Sequence, residues 1–175
     1  MANNRVDNAV IYPGSFDPIT YGHINIIERA LKIFRKVIVA VSHNQSGKKP
    51  FFSIEERVSI IKEIFRKEKR VVVEPFKGLL VDYIKSKSVD TVLRGLRTVA
   101  DFEFELQMSL ANKKMSGNVE TVFMMTEGRY SFLSSSIIKE ILSLGGRAEE
   151  LVPDVVVRRF NERLKERKTD IVSWE

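Results

Sequence analysis

The 175-residue chain has no cysteine, a single tryptophan and only two histidines. The lack of cysteine excludes disulfides, thiolate metal sites and a cysteine nucleophile, and it favours a reducing compartment. No apolar run approaches the ~20 residues of a membrane-spanning helix, and the N-terminus "MANNRVDNAVIYPG" lacks the pattern of a secretory signal. We therefore expect a cytoplasmic protein with no membrane partner.

The charge balance is basic, with 29 Lys and Arg residues against 23 Asp and Glu residues and a formal net charge of +6. This excess suggests an anionic partner, but it does not choose between nucleic acid, phosphorylated metabolites and chance. Many bases sit beside acids at helical spacing, as in "IEERVSIIKEIFRKEKR", which favours a solvated helix face. Because no aromatic-rich basic strand of the kind that stacks bases is present, we expect no nucleic-acid partner.

Five short runs rich in β-branched residues predict five strands, at residues 9–12, 36–42, 70–76, 90–95 and 120–125. The middle runs are continuously apolar rather than alternating, which is typical of strands buried on both faces of a parallel sheet. The length of 175 residues and the 43% apolar composition fit one hydrophobic core. We expect a single domain over residues 1–175.

Segments with helical period separate the predicted strands. In the first, Ile24, Ile27, Leu31 and Phe34 share one face, and the second opens with a capping box formed by Ser53 and Glu56. Further helices are predicted at about 79–87, 100–115, 134–144 and 154–167. The predicted fold is therefore α/β, a Rossmann-like doubly wound parallel sheet of about five strands with helices on both faces and an additional C-terminal helix.

Ligands in a doubly wound sheet bind beyond the carboxyl ends of the strands, so the segments after each strand carry the functional information. These segments are "PGSFDPITYGH", "HNQSGKK", "FKG", "RGLR" and "TEGRYSFLSSS". Each contains glycines, hydroxyls or bases suited to binding phosphate. The sequence therefore predicts a phosphate-binding site at this edge of the sheet.

The first of these segments combines a tight turn with a helix start. Gly14 and Ser15 allow the turn, Pro18 fixes the next corner, and Gly22 keeps bulk away where a ligand approaches the helix. The helix N-terminus offers free N–H groups and a positive dipole to a phosphate. His23 fits hydrogen bonding to phosphate oxygens there, although a lone histidine is also compatible with a capping or core role.

Three other groups allow two interpretations each. The serines at 134–136, followed by Lys139, fit a triphosphate at a second helix start or an ordinary N-cap. Arg94 and Arg97 fit a bidentate phosphate clamp or surface ion pairs with Asp101 or Glu105. Lys48 and Lys49 fit a loop that closes over a substrate or a solvated loop.

Four segments together resemble the bacterial phosphopantetheine adenylyltransferase family over most of the chain: "YPGSFDPITYGHINII", "KKPFFSIEERV", "VLRGLRTVADFEFELQM" and "YSFLSSSIIKE". "TYGH" is similar to the (H/T)xGH signature of the nucleotidyltransferase superfamily, and "SSSIIK" is similar to its serine-rich second motif. The resemblance implies transfer of AMP from ATP to 4′-phosphopantetheine, giving dephospho-coenzyme A and pyrophosphate in the penultimate step of coenzyme A biosynthesis. The substrate phosphate would itself attack the α-phosphate in line, so no side-chain nucleophile is needed.

The resemblance also implies the site residues. Catalytic roles fall to His23, Lys48 and Arg97. ATP would contact Ser15, Phe16, His23, Gly95, Leu96, Arg97, Glu105, Tyr130, Ser131, Phe132, Leu133, Ser134, Ser135 and Ser136, and 4′-phosphopantetheine would contact Ser15, Lys48, Leu80 and Arg94. Ser15 stands where the family more often has threonine, and Tyr130 stands where it also uses tryptophan.

Mg²⁺ is expected to arrive with ATP, because the motif regions show no compact group of carboxylates for a protein-held metal. The family resemblance alone implies a homohexamer and coenzyme A as a feedback ligand. A rival within the superfamily is nucleotidyl transfer to nicotinamide mononucleotide or glycerol phosphate, against which the block "RGLRTVADFE" argues. A rival from another class is a non-catalytic nucleic-acid-binding module, which only the basic charge supports.

Overall fold

Five parallel strands form one sheet in the computed structural model of the protein, which describes residues 8–43 and 50–172, with side chains up to residue 166. The strands are β1 Ala9–Gly14, β2 Lys36–Ser42, β3 Val71–Phe76, β4 Thr91–Leu96 and β5 Glu120–Met125. Their order in the sheet is β3-β2-β1-β4-β5, and every neighbouring pair is parallel. The order reverses between β1 and β4, which makes that point the topological switch of the sheet.

Six helices accompany the strands in the described residues. They are α1 Tyr21–Ala30, α2 Ile54–Ile64, α3 Leu80–Lys87, α4 Val99–Ser116, α5 Ser135–Ser143 and α6 Asp154–Val172, with a 3₁₀ turn at Gly128–Tyr130 before α5. The predicted fold class is confirmed, including the additional C-terminal helix. No helix of the described residues is long and apolar enough to cross a membrane.

Both faces of the sheet are covered, and this explains the continuously apolar strands. Val10 and Val39 face a core cluster that includes residues of α1, α2, α5 and α6, whereas Ile11 and Ile38 face a second cluster with residues of α3. Since neighbouring strand residues point to opposite faces, each must be apolar when both faces are buried. All of the middle runs form parallel strands, but burial on both faces is confirmed only for β2, because β4 is partly buried and β3 lies half-exposed at the edge of the sheet.

The element boundaries depart from prediction where local hydrogen bonding intervenes. The α1 helix ends at Ala30 rather than continuing through Phe34, because Lys32 and Ile33 donate to carbonyls only three residues back, which tightens the last turn. Leu31 and Phe34 nevertheless pack against the core. The capping box at the start of α2 is present: Glu56 N–H donates to Ser53 Oγ at 3.2 Å, and Ser53 N–H donates to Glu56 Oε2 at 2.6 Å.

Candidate active site

A cavity of about 280 Å³ opens at the carboxyl ends of β1 and β4, where the strand order reverses. Its wall comes from the β1–α1 segment, from β4 and the start of α4, and from the segment between β5 and α5. The lining residues are Tyr12, Pro13, Gly14, Ser15, Phe16, Thr20, Gly22, His23, Arg94, Gly95, Arg97, Asp101, Glu105, Thr126, Leu133, Ser134 and Ser135. The cavity lies where the predicted phosphate-binding segments converge.

Most of the residues singled out from the sequence line this cavity. Those that do are Ser15, Phe16, His23, Arg94, Gly95, Arg97, Glu105, Leu133, Ser134 and Ser135. Those that do not are Leu96, which is buried, Tyr130, which packs against the core, Ser131, and the exposed Phe132 and Ser136. Leu80 lines a neighbouring cavity, and Lys48 lies outside the described residues.

The aromatic floor of the cavity depends on an unusual backbone. Phe16 has a positive φ of 48°, and its buried ring lies directly over Gly14. A β-carbon at Gly14 would stand 2.9 Å from Phe16 Cζ, so only glycine leaves room for the ring. The Phe16 ring also packs edge-on against the ring of His23, with 5.2 Å between the two ring centroids.

His23 is held by the residue that caps its own helix. The N–H of Thr20 donates to His23 Nδ1 at 3.0 Å, and Thr20 Oγ1 lies 3.0 Å from the same nitrogen. Because a backbone N–H can only donate, Nδ1 is the acceptor, and the proton of the neutral ring sits on Nε2. His23 is therefore a capping residue, as one interpretation expects, and it also lines the cavity, so phosphate binding stays a prediction that is compatible with the cap.

The environment of His23 favours the neutral ring. Burial, and secondarily the positive charge of Arg97, lowers its pKa from 6.5 to about 4. At neutral pH the unliganded protein therefore presents an uncharged Nε2–H donor. A bound polyphosphate would act in the opposite direction, because a nearby anion favours the protonated ring.

This assignment predicts a measurable titration. A His43→Gln variant leaves His23 as the only histidine. In this variant we expect the imidazole resonances to titrate with a midpoint near pH 4 rather than 6.5, and we expect ATP to raise this midpoint.

The same pKa shift predicts how stability depends on pH. The unfolded chain binds this proton at a higher pH than the folded one, so the contribution of His23 to the free energy of unfolding should be fully present above pH 6.5 and decline towards pH 4. A His23→Gln variant should lack this part of the decline. A midpoint near 6.5 without ligand would contradict the assignment.

Two arginines on β4 and just after it are oriented by carboxylates from α4. Arg94 pairs through Nε and Nη2 with Glu105 and donates from Nη1 to Pro13 O at 2.8 Å. Arg97 donates from Nε and Nη2 to the two oxygens of Asp101, each at 3.0 Å, and from Nη1 to Leu133 O at 3.1 Å. The ion pairs considered from the sequence are present, and they aim both guanidinium groups along the cavity wall.

The serine motif forms the start of α5 at the cavity, and the hydroxyls of Ser134 and Ser135 bond to other protein groups. Ser134 is the N-cap of α5 and accepts from Ile137 N–H at 3.2 Å, as the N-cap interpretation expects. Ser135 donates from its hydroxyl to Pro18 O at 2.8 Å, which fastens α5 to the first segment. The N-termini of α1 and α5 thus both reach the cavity, and each brings first-turn N–H groups and a positive dipole end.

Buried polar residues behind the wall were missed by the sequence analysis. Asp17 is 2% exposed and accepts from Phe51 N–H at 2.9 Å, Phe52 N–H at 2.8 Å and Lys139 Nζ at 3.0 Å. Arg57, also 2% exposed, donates to Ser15 O at 2.7 Å and to Ser42 O at 2.9 Å. These five partners are 15 to 122 residues away in the chain, although Arg57 Nε also donates to Ser53 O at 3.3 Å, and the only sequence signal for Asp17 and Arg57 is that each lies next to a motif.

A second cavity of about 110 Å³ adjoins the first and shares Arg94 and Glu105 with it. The rest of its wall is mostly apolar and comes from α3, β4, α4 and β5: Leu80, Val92, Phe104, Met108, Ser109, Asn112 and Thr121. Asn112 is a buried amide at one side. The smaller cavity therefore combines an apolar wall with a cation, Arg94, at its junction with the larger one.

The described residues contain no group of three or more His, Asp or Glu side chains placed to hold a metal ion. The two carboxylates that line the main cavity, Asp101 and Glu105, are already engaged by Arg97 and Arg94. The donors that face the cavity are guanidinium, imidazole and amide groups, which bind anions. This donor set fits a phosphate-bearing ligand better than a bare cation.

Comparison with known proteins agrees with the geometry. The profile of a family described as cytidylyltransferase-like matches residues 11–141. A phosphopantetheine adenylyltransferase of Caldanaerobacter subterraneus subsp. tengcongensis is 51% identical over 155 residues, or 89% of this chain and 96% of that protein. A phosphopantetheine adenylyltransferase of Clostridium botulinum (strain Hall) is 48% identical over 158 residues, or 90% of this chain and 96% of that protein.

Proposed function

This chain belongs to the phosphopantetheine adenylyltransferase family of cytidylyltransferase-like proteins, and we propose that it transfers AMP from ATP to 4′-phosphopantetheine, forming dephospho-coenzyme A and pyrophosphate. One observation carries the proposal. A single cavity at the switch point of the sheet collects the histidine of the first motif, two oriented arginines and the N-terminus of the serine-motif helix. All of these groups stabilise negative charge, which is what transfer between phosphates requires.

The reaction needs positioning more than it needs a nucleophilic side chain. An oxygen of the 4′-phosphate attacks the α-phosphorus of ATP, and the bond from that phosphorus to the bridging oxygen of the β-phosphate breaks. His23 donates from Nε2 to an oxygen of the α-phosphate, and Arg97, with the N-terminus of α5, holds the polyphosphate. Lys48, outside the described residues, completes the catalytic set as a prediction from the resemblance.

The acceptor fits the pair of adjoining cavities. Arg94 lies at their junction and would hold the 4′-phosphate, while Leu80 and its neighbours would line the pantetheine arm in the smaller cavity. The larger cavity would then hold ATP at Ser15, Phe16, Gly95, Glu105 and the 130–136 segment. This arrangement would bring the two phosphates together beside His23.

ATP would enter as its Mg²⁺ complex, and the metal would neutralise part of the phosphate charge. The protein's own contribution is to bind the surrounding oxygens, since its cavity carboxylates are committed to Arg94 and Arg97. We also propose that coenzyme A competes with the acceptor, because it carries the same pantetheine phosphate and adenylate groups. A cytoplasmic location and a single domain over residues 1–175 stay predictions from the sequence.

The test is pyrophosphate release with ATP and Mg²⁺, comparing 4′-phosphopantetheine with nicotinamide mononucleotide and glycerol 3-phosphate. We expect release only with phosphopantetheine, and inhibition by coenzyme A that rising phosphopantetheine relieves. Release with another acceptor would keep the reaction type and overturn the substrate. No release with any acceptor, from folded protein that binds ATP, would overturn the function.

The exposed apolar residues of α4 support self-association, and the family resemblance suggests a homohexamer. Val99, Phe104 and Leu110 are 76%, 62% and 60% exposed, and Leu106, Met108 and Met115 add to the same helix. A large exposed apolar surface of this kind marks an interaction site. We propose that copies of the chain bury this helix against one another.

Leu110→Glu should therefore lower the molecular mass measured by light scattering during size-exclusion chromatography. The physical reason is that a carboxylate without a partner is costly to bury in an apolar contact. Because Leu110 is 60% exposed, the fold of the monomer should persist. Leu110 also lines neither cavity of the site, so the variant should leave the site unchanged. Leu144→Glu, at an 82% exposed residue beyond α5, serves as the matched control. Unchanged mass in the Leu110 variant would contradict an interface on α4.

A further inference from the structure

Tyr12, near the end of β1, is a deeply buried side chain whose hydroxyl has no hydrogen-bond partner among the residues that the structure describes. It is 6% exposed and lines the main cavity. The other deeply buried polar side chain of the wall, that of Thr20, is engaged with His23. Because Tyr12 lines the cavity, a ligand bound there, or solvent in its absence, can be the hydrogen-bond partner of this hydroxyl.

The hydroxyl cannot turn away to find another protein group. Its ring packs edge-on against Phe16 at a centroid distance of 5.4 Å, inside the same core cluster as Ile26. A β-carbon at Gly95 would stand 3.1 Å from Tyr12 Oη, so the hydroxyl lies directly against the Gly95 backbone. Gly95 follows Arg94 in β4, and Arg94, Gly95 and Arg97 line the same cavity as Tyr12.

The chemistry of the phenol defines the group that it can bind. Burial raises the pKa of Tyr12 well above its usual value, and the opposing effects of Arg94 and Arg97 are smaller. The hydroxyl therefore keeps its proton and acts as a donor at neutral pH. A ligand atom beside it must be an acceptor, and in a cavity that Arg94 and Arg97 also line the favoured acceptor is an anionic oxygen.

We propose that Tyr12 is a substrate-binding residue of this cavity, whose hydroxyl donates a hydrogen bond to a phosphoryl oxygen. The phosphoryl group belongs either to ATP or to the 4′-phosphate of the acceptor, since both carry the same chemistry. The inference rests on the proposed adenylyl transfer and adds a neutral donor to the charged groups around the reacting phosphates.

Tyr12→Phe tests this role, because it removes one oxygen and keeps the ring that packs on Phe16. We expect kcat/KM for adenylyl transfer to fall by about 10- to 100-fold, the usual effect of losing a hydrogen bond to a charged group. The melting temperature without ligand should stay the same or rise, since no bond within the described protein is lost. A purely structural role would instead lower the melting temperature.

Tyr21→Phe is the matched control. Tyr21 is a half-buried tyrosine at the start of α1 that does not line the cavity. The same oxygen is removed there, so the activity and the ligand-induced stabilisation should match those of the wild type. An equal loss of activity in both variants would overturn the inference.

Ligand-induced shifts in melting temperature separate the two sources of phosphate. Smaller shifts with ATP and with inorganic pyrophosphate in Tyr12→Phe would assign the hydrogen bond to the nucleotide, whereas a smaller shift with 4′-phosphopantetheine alone would assign it to the acceptor. Unchanged kinetics and unchanged shifts with all three ligands would overturn the inference while leaving the function intact. If the wild type transfers no AMP, the proposed function fails, and the shifts with ATP, pyrophosphate and 4′-phosphopantetheine together still decide whether Tyr12 binds a phosphoryl group.

Discussion

His23→Ala should lower kcat for adenylyl transfer by about 10²- to 10³-fold, the usual effect of removing one preorganised donor from a developing negative charge. The imidazole is fixed by Thr20 at Nδ1, and burial keeps it neutral, so its Nε2–H is ready before the substrate arrives. The KM values for ATP and phosphopantetheine should change less than kcat, because the donor acts most strongly when charge develops.

A second substitution at this position separates hydrogen bonding from charge. His23→Gln supplies an uncharged N–H donor at a comparable distance from the helix, so it should restore part of the activity that alanine loses. If the reaction instead depends on a protonated ring, glutamine should be as inactive as alanine.

His43→Ala is the control for both His23 variants, because His43 is the only other histidine and is exposed at the end of β2. Its activity should match that of the wild type. Near-normal turnover of a folded His23→Ala protein would rule out the proposed role.

The fold could be predicted from the sequence because β1 and β2 are buried on both faces and helices such as α1 and α2 bury one face. These constraints leave a continuous apolar pattern in β1 and β2 and a 3.6-residue period in the helices. Both patterns can be recognised within a short segment of the sequence, without knowledge of distant contacts. The site could be located for a related reason: parallel strands end at one edge, so the segments after them must meet. The residues that meet there include His23, Arg97 and Ser134, as expected.

The supports of the site could not be predicted, because they depend on contacts between distant segments. The partners of Asp17 are 34, 35 and 122 residues away along the chain, and no periodicity encodes such a pairing. The outer surface of α4 posed a different difficulty. Its bounds followed from the sequence to within a residue, but its exposed apolar residues do not reveal what covers them.

The alternatives that the sequence left open at the site are compatible in the structure. His23 caps its helix and faces the cavity, Arg94 and Arg97 form ion pairs and line the wall, and Ser134 is an N-cap within the motif. Groups that must hold phosphates in one geometry need protein partners of their own, since an unrestrained side chain would have to reorganise during the reaction. Structural bonds at these residues are thus part of how the site would work.

Asp17→Ala should lower the free energy of unfolding by about 3 kcal/mol, because it leaves two buried N–H groups without an acceptor and removes the partner of Lys139. The carboxylate is 2% exposed and joins three segments: the loop that carries Ser15 and Phe16, the approach to α2 at Phe51 and Phe52, and α5. Urea denaturation of wild type and variant at pH 7 measures this loss directly.

Lys139→Met separates the contribution of the ion pair from that of the backbone bonds to Asp17. The lysine side chain is 33% exposed and its loss leaves Phe51 and Phe52 bonded to the carboxylate, so this variant should lose less stability than Asp17→Ala. In the double variant the loss should be smaller than the sum, because the two side chains contact each other. A loss below about 1 kcal/mol in Asp17→Ala itself would mean that the surrounding segments satisfy those N–H groups in another way, and that the site does not depend on this carboxylate for its shape.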